Sequence, residues 1–309
     1  MYDDDLFYHQ SLHRMNGSDS ITVKQAGLLS DLSELFKARL SFLVLLTTLV
    51  GFLLGWHGPM DYTVLAATLL GTALSACGAS ALNQWLERDL DGLMRRTADR
   101  PLPAGRMHPS DALLFGLLCC GAGIALLALL VNPLTAILSF LTIVIYAVIY
   151  TPMKRVSELN TLLGAVPGAL PPLLGWTAAT GHLDVGGWIL FLILWFWQMP
   201  HFLAIAWLYR DQNAAAGFKM ISTRDPEGWA TGWQALIYST ALTAITLLPG
   251  LLGFASPYYF FAALALGAAM VFLSADFLRL RNPSAARRLF FASIIYLPLL
   301  LGALIAFSR

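Results

Sequence analysis

The chain has 309 residues, 58% of them apolar and 12% charged, and its mean hydropathy is +0.68. A soluble domain is about half apolar and about one quarter charged, so these proportions exclude both a water-soluble core and a disordered chain. The net charge of +1 is a balance of 19 basic and 18 acidic residues and gives no reason to expect a nucleic-acid partner.

At roughly 20 residues per membrane span, the apolar residues supply about nine spans and little else. In chain order the apolar stretches are 40–56, 63–86, 111–131, 133–150, 160–180, 185–207, 229–251, 257–278 and 288–307. The hydrocarbon layer offers no water to backbone amides, so each stretch is expected to be helical and the fold all-α. Asn132-Pro133 reads as a tight turn between the third and fourth spans. Residues 1–36 form an N-terminal tail ahead of one membrane domain, 37–309. The acidic start of the tail resembles neither a secretory signal nor an Arg-rich transit peptide. Cys77, Cys119 and Cys120 fall inside apolar runs and read as packing residues, with no metal spacing.

Basic residues occupy alternate connections. Arg14, Lys24, Lys37 and Arg39 precede the first span, and Arg88, Arg95, Arg96, Arg100 and Arg106 follow the second. Lys154 and Arg155 follow the fourth, Arg210, Lys219 and Arg224 the sixth, and Arg279, Arg281, Arg287 and Arg288 the eighth. The intervening loops carry no Lys or Arg. Positive charge collects on the cytoplasmic side, which predicts a multi-pass membrane protein with its N-terminus inside and its C-terminus outside. Acids crowd the same side (Glu87, Asp89, Asp91 and Asp99; Asp211, Asp225 and Glu227), while the outward loops hold only Asp61 and Asp184.

Asn83, Glu87 and Asp91 are spaced to share one helix face. Asp89 points elsewhere unless the helix loosens near Gly92. Carboxylates this close repel one another, and a hard divalent cation such as magnesium, shared with a phosphate, relieves that repulsion. Arg95, Arg96 and Arg100 supply charge for the rest of a diphosphate. The plainer alternative is a solvated loop of surface ion pairs. Acids on the end of an apolar helix are costly, which favours the functional reading.

The run Asn83-x3-Glu87-x-Asp89-x-Asp91, then Met94-Arg95-Arg96-Thr97-x2-Arg100-Pro101-Leu102-Pro103-x-Gly105, resembles the first aspartate-rich motif of the UbiA-type intramembrane prenyltransferases. Tyr150-Thr151-Pro152-x-Lys154-Arg155 with Asn160-Thr161, Trp197-Gln198-Met199-Pro200-His201-Phe202-Leu203 and Ala286-Arg287-x-Leu289-Phe290 resemble the branch that farnesylates protohaem IX. The second acidic motif departs from the family pattern: Gln212-Asn213 follows Asp211 where an acid and a tyrosine are usual, and Lys219 stands where proline is common.

The resemblance implies a central cavity opening to the cytoplasmic side and transfer of farnesyl from farnesyl diphosphate to a haem b vinyl group, giving haem O. It implies Mg2+ on Asn83, Glu87, Asp89, Asp91 and Asp211, and diphosphate contacts from Arg95, Arg96, Arg100, Lys154, Arg155 and Arg210. Trp85, Tyr150 and Trp197 offer aromatic faces to a cation, Asn160 belongs to the substrate motif, and His201 is either a haem contact or a hydrogen-bonded core residue. Pro200 is expected to kink its helix. A haem A synthase or oxidase assembly factor is the expected protein partner, with membrane lipid around the bundle. Alternatives are a prenyltransferase acting on a quinone, a non-catalytic haem assembly factor and a transporter. The spans carry almost no midplane charge, which argues against transport. Asp91-Gly92 with Arg95 echoes phosphatidyl-transfer enzymes, but the stretch from Ala104 to Ser110 lacks their further aspartates.

Overall fold

The computed structural model describes residues 27–92, 97–154, 156–215 and 217–308. Among them are nine helices long and apolar enough to cross a membrane. They are α1 (Ala38–Gly55), α2 (Tyr62–Asp91), α3 (Pro109–Leu130), α4 (Pro133–Met153), α5 (Asn160–Thr180), α6 (Val185–Leu208), α7 (Trp229–Leu251), α8 (Pro257–Leu280) and α9 (Pro283–Phe307). The described residues contain no strand beyond one isolated bridge, Ala255 to Ser308. Phe42 and Leu43 of α1, Leu117 and Leu118 of α3, and Phe261 and Phe272 of α8 are exposed, as a lipid-facing surface requires.

Start signals are set by short polar side chains. Asp61 Oδ1 accepts from the Thr63 and Val64 amides, and Asp184 Oδ1 from those of Gly186 and Gly187. These are the two acids that the sequence places on the outer side, and their work is capping. Asn132 caps α4 through the Thr135 amide, with Pro133 in the first turn, as the tight-turn expectation requires. Within α4, Val144–Tyr150 winds as a π-helix. α6 runs through Pro200 as one unbroken helix.

Helices approach most closely where glycine removes a side chain. A Cβ on Gly51 of α1 would lie 1.9 Å from the Pro172 carbonyl oxygen of α5, and one on Gly175 of α5 would lie 1.9 Å from the Thr48 oxygen of α1. Gly78 of α2 packs against Cys120 and Gly116 of α3, which gives that cysteine its packing role.

Ahead of α1, a short helix (Leu28–Leu35) docks on the charged rim of the bundle. Gln84 Nε2 donates to the Glu34 and Leu35 carbonyls at 2.8 Å each. Arg106 binds buried Asp31 at 2.9 Å and exposed Asp99 at 3.0 Å, tying this helix to the α2–α3 loop. Burial lowers the Arg106 pKa, yet the hydrogen bonds from Asp31 and Asp99 outweigh it and leave the guanidinium more firmly charged than usual. Arg106→Met should destabilise this corner by about 3 kcal/mol, because Asp31 is left buried without its cation. Limited proteolysis after residue 27 would report it, and wild-type resistance would refute it.

Candidate active site

The helix face predicted for α2 forms as spaced. Asn83, Glu87 and Asp91 are 0%, 6% and 1% exposed, which excludes a solvated loop for these three. α2 stays helical to Asp91, so Asp89 points outward; its side chain is 86% exposed, 3.7 Å from Arg88.

Each buried acid already faces a cation. Lys154 Nζ donates to Glu87 Oε1 at 2.7 Å, and Asn83 Nδ2 donates to Glu87 Oε2 at 3.0 Å. Arg100 holds Asp91 Oδ2 at 2.5 Å. Lys37 Nζ donates to Asn83 Oδ1 at 2.7 Å and to the Tyr146 hydroxyl at 3.1 Å. Lys37 reaches this point from a left-handed backbone at the start of α1, φ 47° and ψ 53°, a conformation a lysine adopts only under constraint. Its ammonium also lies 5.8 Å from the centre of the Tyr146 ring, and that of Lys154 4.8 Å from the Tyr150 ring.

Burial works against the Lys154 charge, but Tyr150, Glu87 and Tyr146 outweigh it and raise its pKa well above the usual value. Its pairing therefore stabilises the fold fully below about pH 10.5 and is lost only as pH climbs far above that.

Lys37, Glu87, Asp91, Arg100 and Lys154 line the mouth of a cavity of about 470 Å³ among α1, α2, α4, α5 and α6, and Asn83 lies behind that wall. Below the mouth, the walls pass to Ala76, Ala79, Pro167, Gly168, Pro171 and Leu174, with a few hydroxyls. Tyr146 and Tyr150, stacked at 5.9 Å by the π segment, sit between charged mouth and apolar depth. A smaller hollow of about 150 Å³ adjoins it and shares Tyr150 and Phe202, with Asn160, Gln212 and Asn213 on its wall.

Other expected site residues fall elsewhere. Asp211 is 96% exposed and lines neither hollow. Arg210 stacks over Trp207 at 4.2 Å. Asp225 accepts from the amide and hydroxyl of Thr231 at the start of α7. Asn160 Nδ2 donates to the Ser157 and Lys219 carbonyls at 2.7 Å each, bracing the rim. Trp85 packs beside Leu35, under Arg88. Arg95, Arg96 and Arg155 lie outside the described residues.

His201 stands apart from both hollows, between Trp197 and Phe290, with ring centres at 5.3 and 4.9 Å. Its Nδ1 shares a hydrogen bond of 2.8 Å with Ser293 Oγ, and Trp197 Nε1 donates to the Ser293 carbonyl at 2.7 Å.

Magnesium is commonly held by one or two carboxylates, with substrate phosphates and water completing its shell. Glu87 and Asp91, both on the cavity lining, fit that requirement for one ion, while Asn83 is fully buried behind them with its amide oxygen bonded to Lys37. The described residues contain no cluster of three His, Cys, Asp or Glu side chains that would hold a metal unaided. The arrangement suits an anion delivered with its own counter-cation, and an apolar tail placed below it.

Comparison with known proteins finds similar folds and similar sequences. A digeranylgeranylglyceryl phosphate synthase has a similar fold, with TM-score 0.78, 16% identity, and coverage of 90% of this chain and 97% of that one. A UbiA homologue from Archaeoglobus fulgidus bound to DMAPP and Mg2+ gives TM-score 0.64 at 14% identity, covering 89% of this chain and 99% of its own. The protoheme IX farnesyltransferase of Opitutus terrae is 47% identical over 277 residues, 89% of this chain and 94% of that protein. The mitochondrial protoheme IX farnesyltransferase of Homo sapiens is 39% identical over 278 residues, 90% of this chain and 62% of that protein. Residues 44–295 match the UbiA prenyltransferase family, and with that match and these identities the chain belongs to it.

Proposed function

We propose that this protein transfers a farnesyl group from farnesyl diphosphate to a vinyl group of protohaem IX, after which water adds to the resulting haem-side cation and loses a proton, giving haem O and diphosphate. The observation that carries the reading is one cavity with a cationic and carboxylate mouth above an apolar depth. The relatives at 47% and 39% identity, both named protoheme IX farnesyltransferase, support the choice of acceptor.

Transfer breaks an allylic carbon–oxygen bond, leaving a carbocation and a diphosphate. Lys37, Arg100 and Lys154 donate to the diphosphate oxygens, and Arg95, Arg96, Arg155 and Arg210 are further candidates by the family motif. Glu87 and Asp91 would hold magnesium, with Asn83 a ligand by the family motif, and the ion when bound would neutralise charge on the leaving diphosphate. Asp89 and Asp211 enter that set only if the rim rearranges. The faces of Tyr146 and Tyr150 stabilise the cation, and the apolar wall keeps water from it until bond formation. Trp197 and His201, outside both hollows and bonded to Ser293 of α9, are candidates for the haem contact by the family motif alone. Charge asymmetry supports placing the mouth and the N-terminus in the bacterial cytoplasm, with the C-terminus outside. Residues 37–309 form one catalytic domain, and a haem A synthase or oxidase assembly factor receives the product.

Membranes containing the protein, given haem b and farnesyl diphosphate, should yield a pigment of haem O mass. A chelator should abolish that yield, and added magnesium should restore it. Absence of the pigment would reject the function, and indifference to chelation would reject the metal.

A further inference from the structure

We propose that the far end of the large cavity is a length gauge that admits three isoprene units and rejects four. This rests on the prenyl-transfer reading and assigns a task to residues that the reaction itself does not use. At about 1.5 Å per residue, the stretch of α2 from Glu87 at the mouth to Thr72 at the bottom runs about 22 Å. If the diphosphate takes a little over one helical turn of that depth, about 15 Å is left for hydrocarbon. An extended chain advances about 1.2 Å per bond, so a farnesyl group needs about 14 Å and a geranylgeranyl group about 19 Å.

The bottom is closed by a layer that resists displacement. The last lining residues are Thr72 on α2, Ser139 on α4 and Leu174 on α5, and Ser139 Oγ donates to Ser75 Oγ at 2.9 Å. One turn further out, each of these helices carries a fully buried threonine: Thr68, Thr135 and Thr177. Thr135 and Thr177 share a hydrogen bond of 3.0 Å, Asn132 Nδ2 donates to the Thr177 carbonyl at 2.9 Å, and Thr68 Oγ1 donates to the Val64 carbonyl at 2.7 Å. A fourth isoprene unit continuing along α2 would meet that layer, in which Thr135 and Thr177 are bonded across helices and Thr68 within its own. The Thr72 hydroxyl, 2% exposed, has no partner among the described residues. An unpartnered hydroxyl keeps its preference for water, and a hydrocarbon pressed onto it would make that cost permanent. Length is therefore limited by sterics and by polarity at the same level.

The test is a competition among geranyl, farnesyl and geranylgeranyl diphosphates, with haem b as acceptor and membranes bearing the full chain. Product masses give the ratios. The wild type should favour farnesyl. Leu174→Ala, which deepens the floor, and Thr72→Val, which makes it apolar, should each raise the geranylgeranyl-to-farnesyl ratio about tenfold or more. Ala76→Phe, one turn above Thr72 on the lining face, should shift use toward geranyl by a similar factor. If Leu174→Ala fails to accumulate, Ala76→Phe carries the decision, because it adds a ring to open space. Unchanged ratios in variants that still transfer would overturn the gauge and leave prenyl transfer standing. No prenylated product from the wild type with any donor would overturn both.

Discussion

Replacing Glu87 with glutamine should lower prenyl transfer by about 10²- to 10³-fold, with the amount of protein in the membrane unchanged. Glutamine keeps the volume and an oxygen for Lys154 while removing the negative charge. Alanine is the poorer choice, since it strands the buried Lys154 ammonium and costs about 3–5 kcal/mol of fold stability. The measurement is haem O formed per unit of protein, with the protein quantified separately. Full turnover in the glutamine variant would remove Glu87 from the reaction and leave it as a partner for Lys154 alone.

Gly175→Ala should destabilise the bundle by about 3 kcal/mol or more, the largest purely structural effect expected. The added methyl would sit 1.9 Å from the Thr48 carbonyl oxygen, a backbone atom of α1 that cannot swing aside. Separating α1 from α5 would also pull Lys37 off Asn83, so activity should fall with stability. Gly302→Ala is the matched control, because its methyl meets nothing within 4 Å. Thermal unfolding of the two variants in detergent decides it: equal midpoints would mean that the α1–α5 approach is looser than described.

Much of this architecture was legible before any coordinates. Apolar length and alternating charge fixed the number of spans, because both follow from the bilayer and need no tertiary contact. The face shared by Asn83, Glu87 and Asp91 follows from helical period alone. Span ends were less legible: the apolar run of α2 stops near residue 86, while the helix continues to Asp91 because its last turn is buried by other groups. The apolar run of α4 likewise stops at Tyr150, and nothing in its composition marks the π turn.

The missing site residues share one reason. Lys37 meets Asn83 across 46 residues and Tyr146 across 109, and Arg106 meets Asp31 across 75. Such pairings exist only once the helices are packed, and Lys37 in the sequence is one basic residue among several on the rim. Asp89 and Asp211 show the converse, since motif membership marked them while side-chain direction placed them in solvent.

The threonine layer below Thr72 also bears on energy conservation in the host membrane. A bundle with a wet, ionisable entrance would short-circuit an electrochemical gradient if its lumen ran through to the opposite leaflet. Here the hydroxyls of Thr135 and Thr177 satisfy each other and Asn132 bonds the Thr177 carbonyl, so the polar groups of α4 and α5 at this level are spent on one another. Paired in this way, they give a proton no vacant hydroxyl to step onto between α4 and α5.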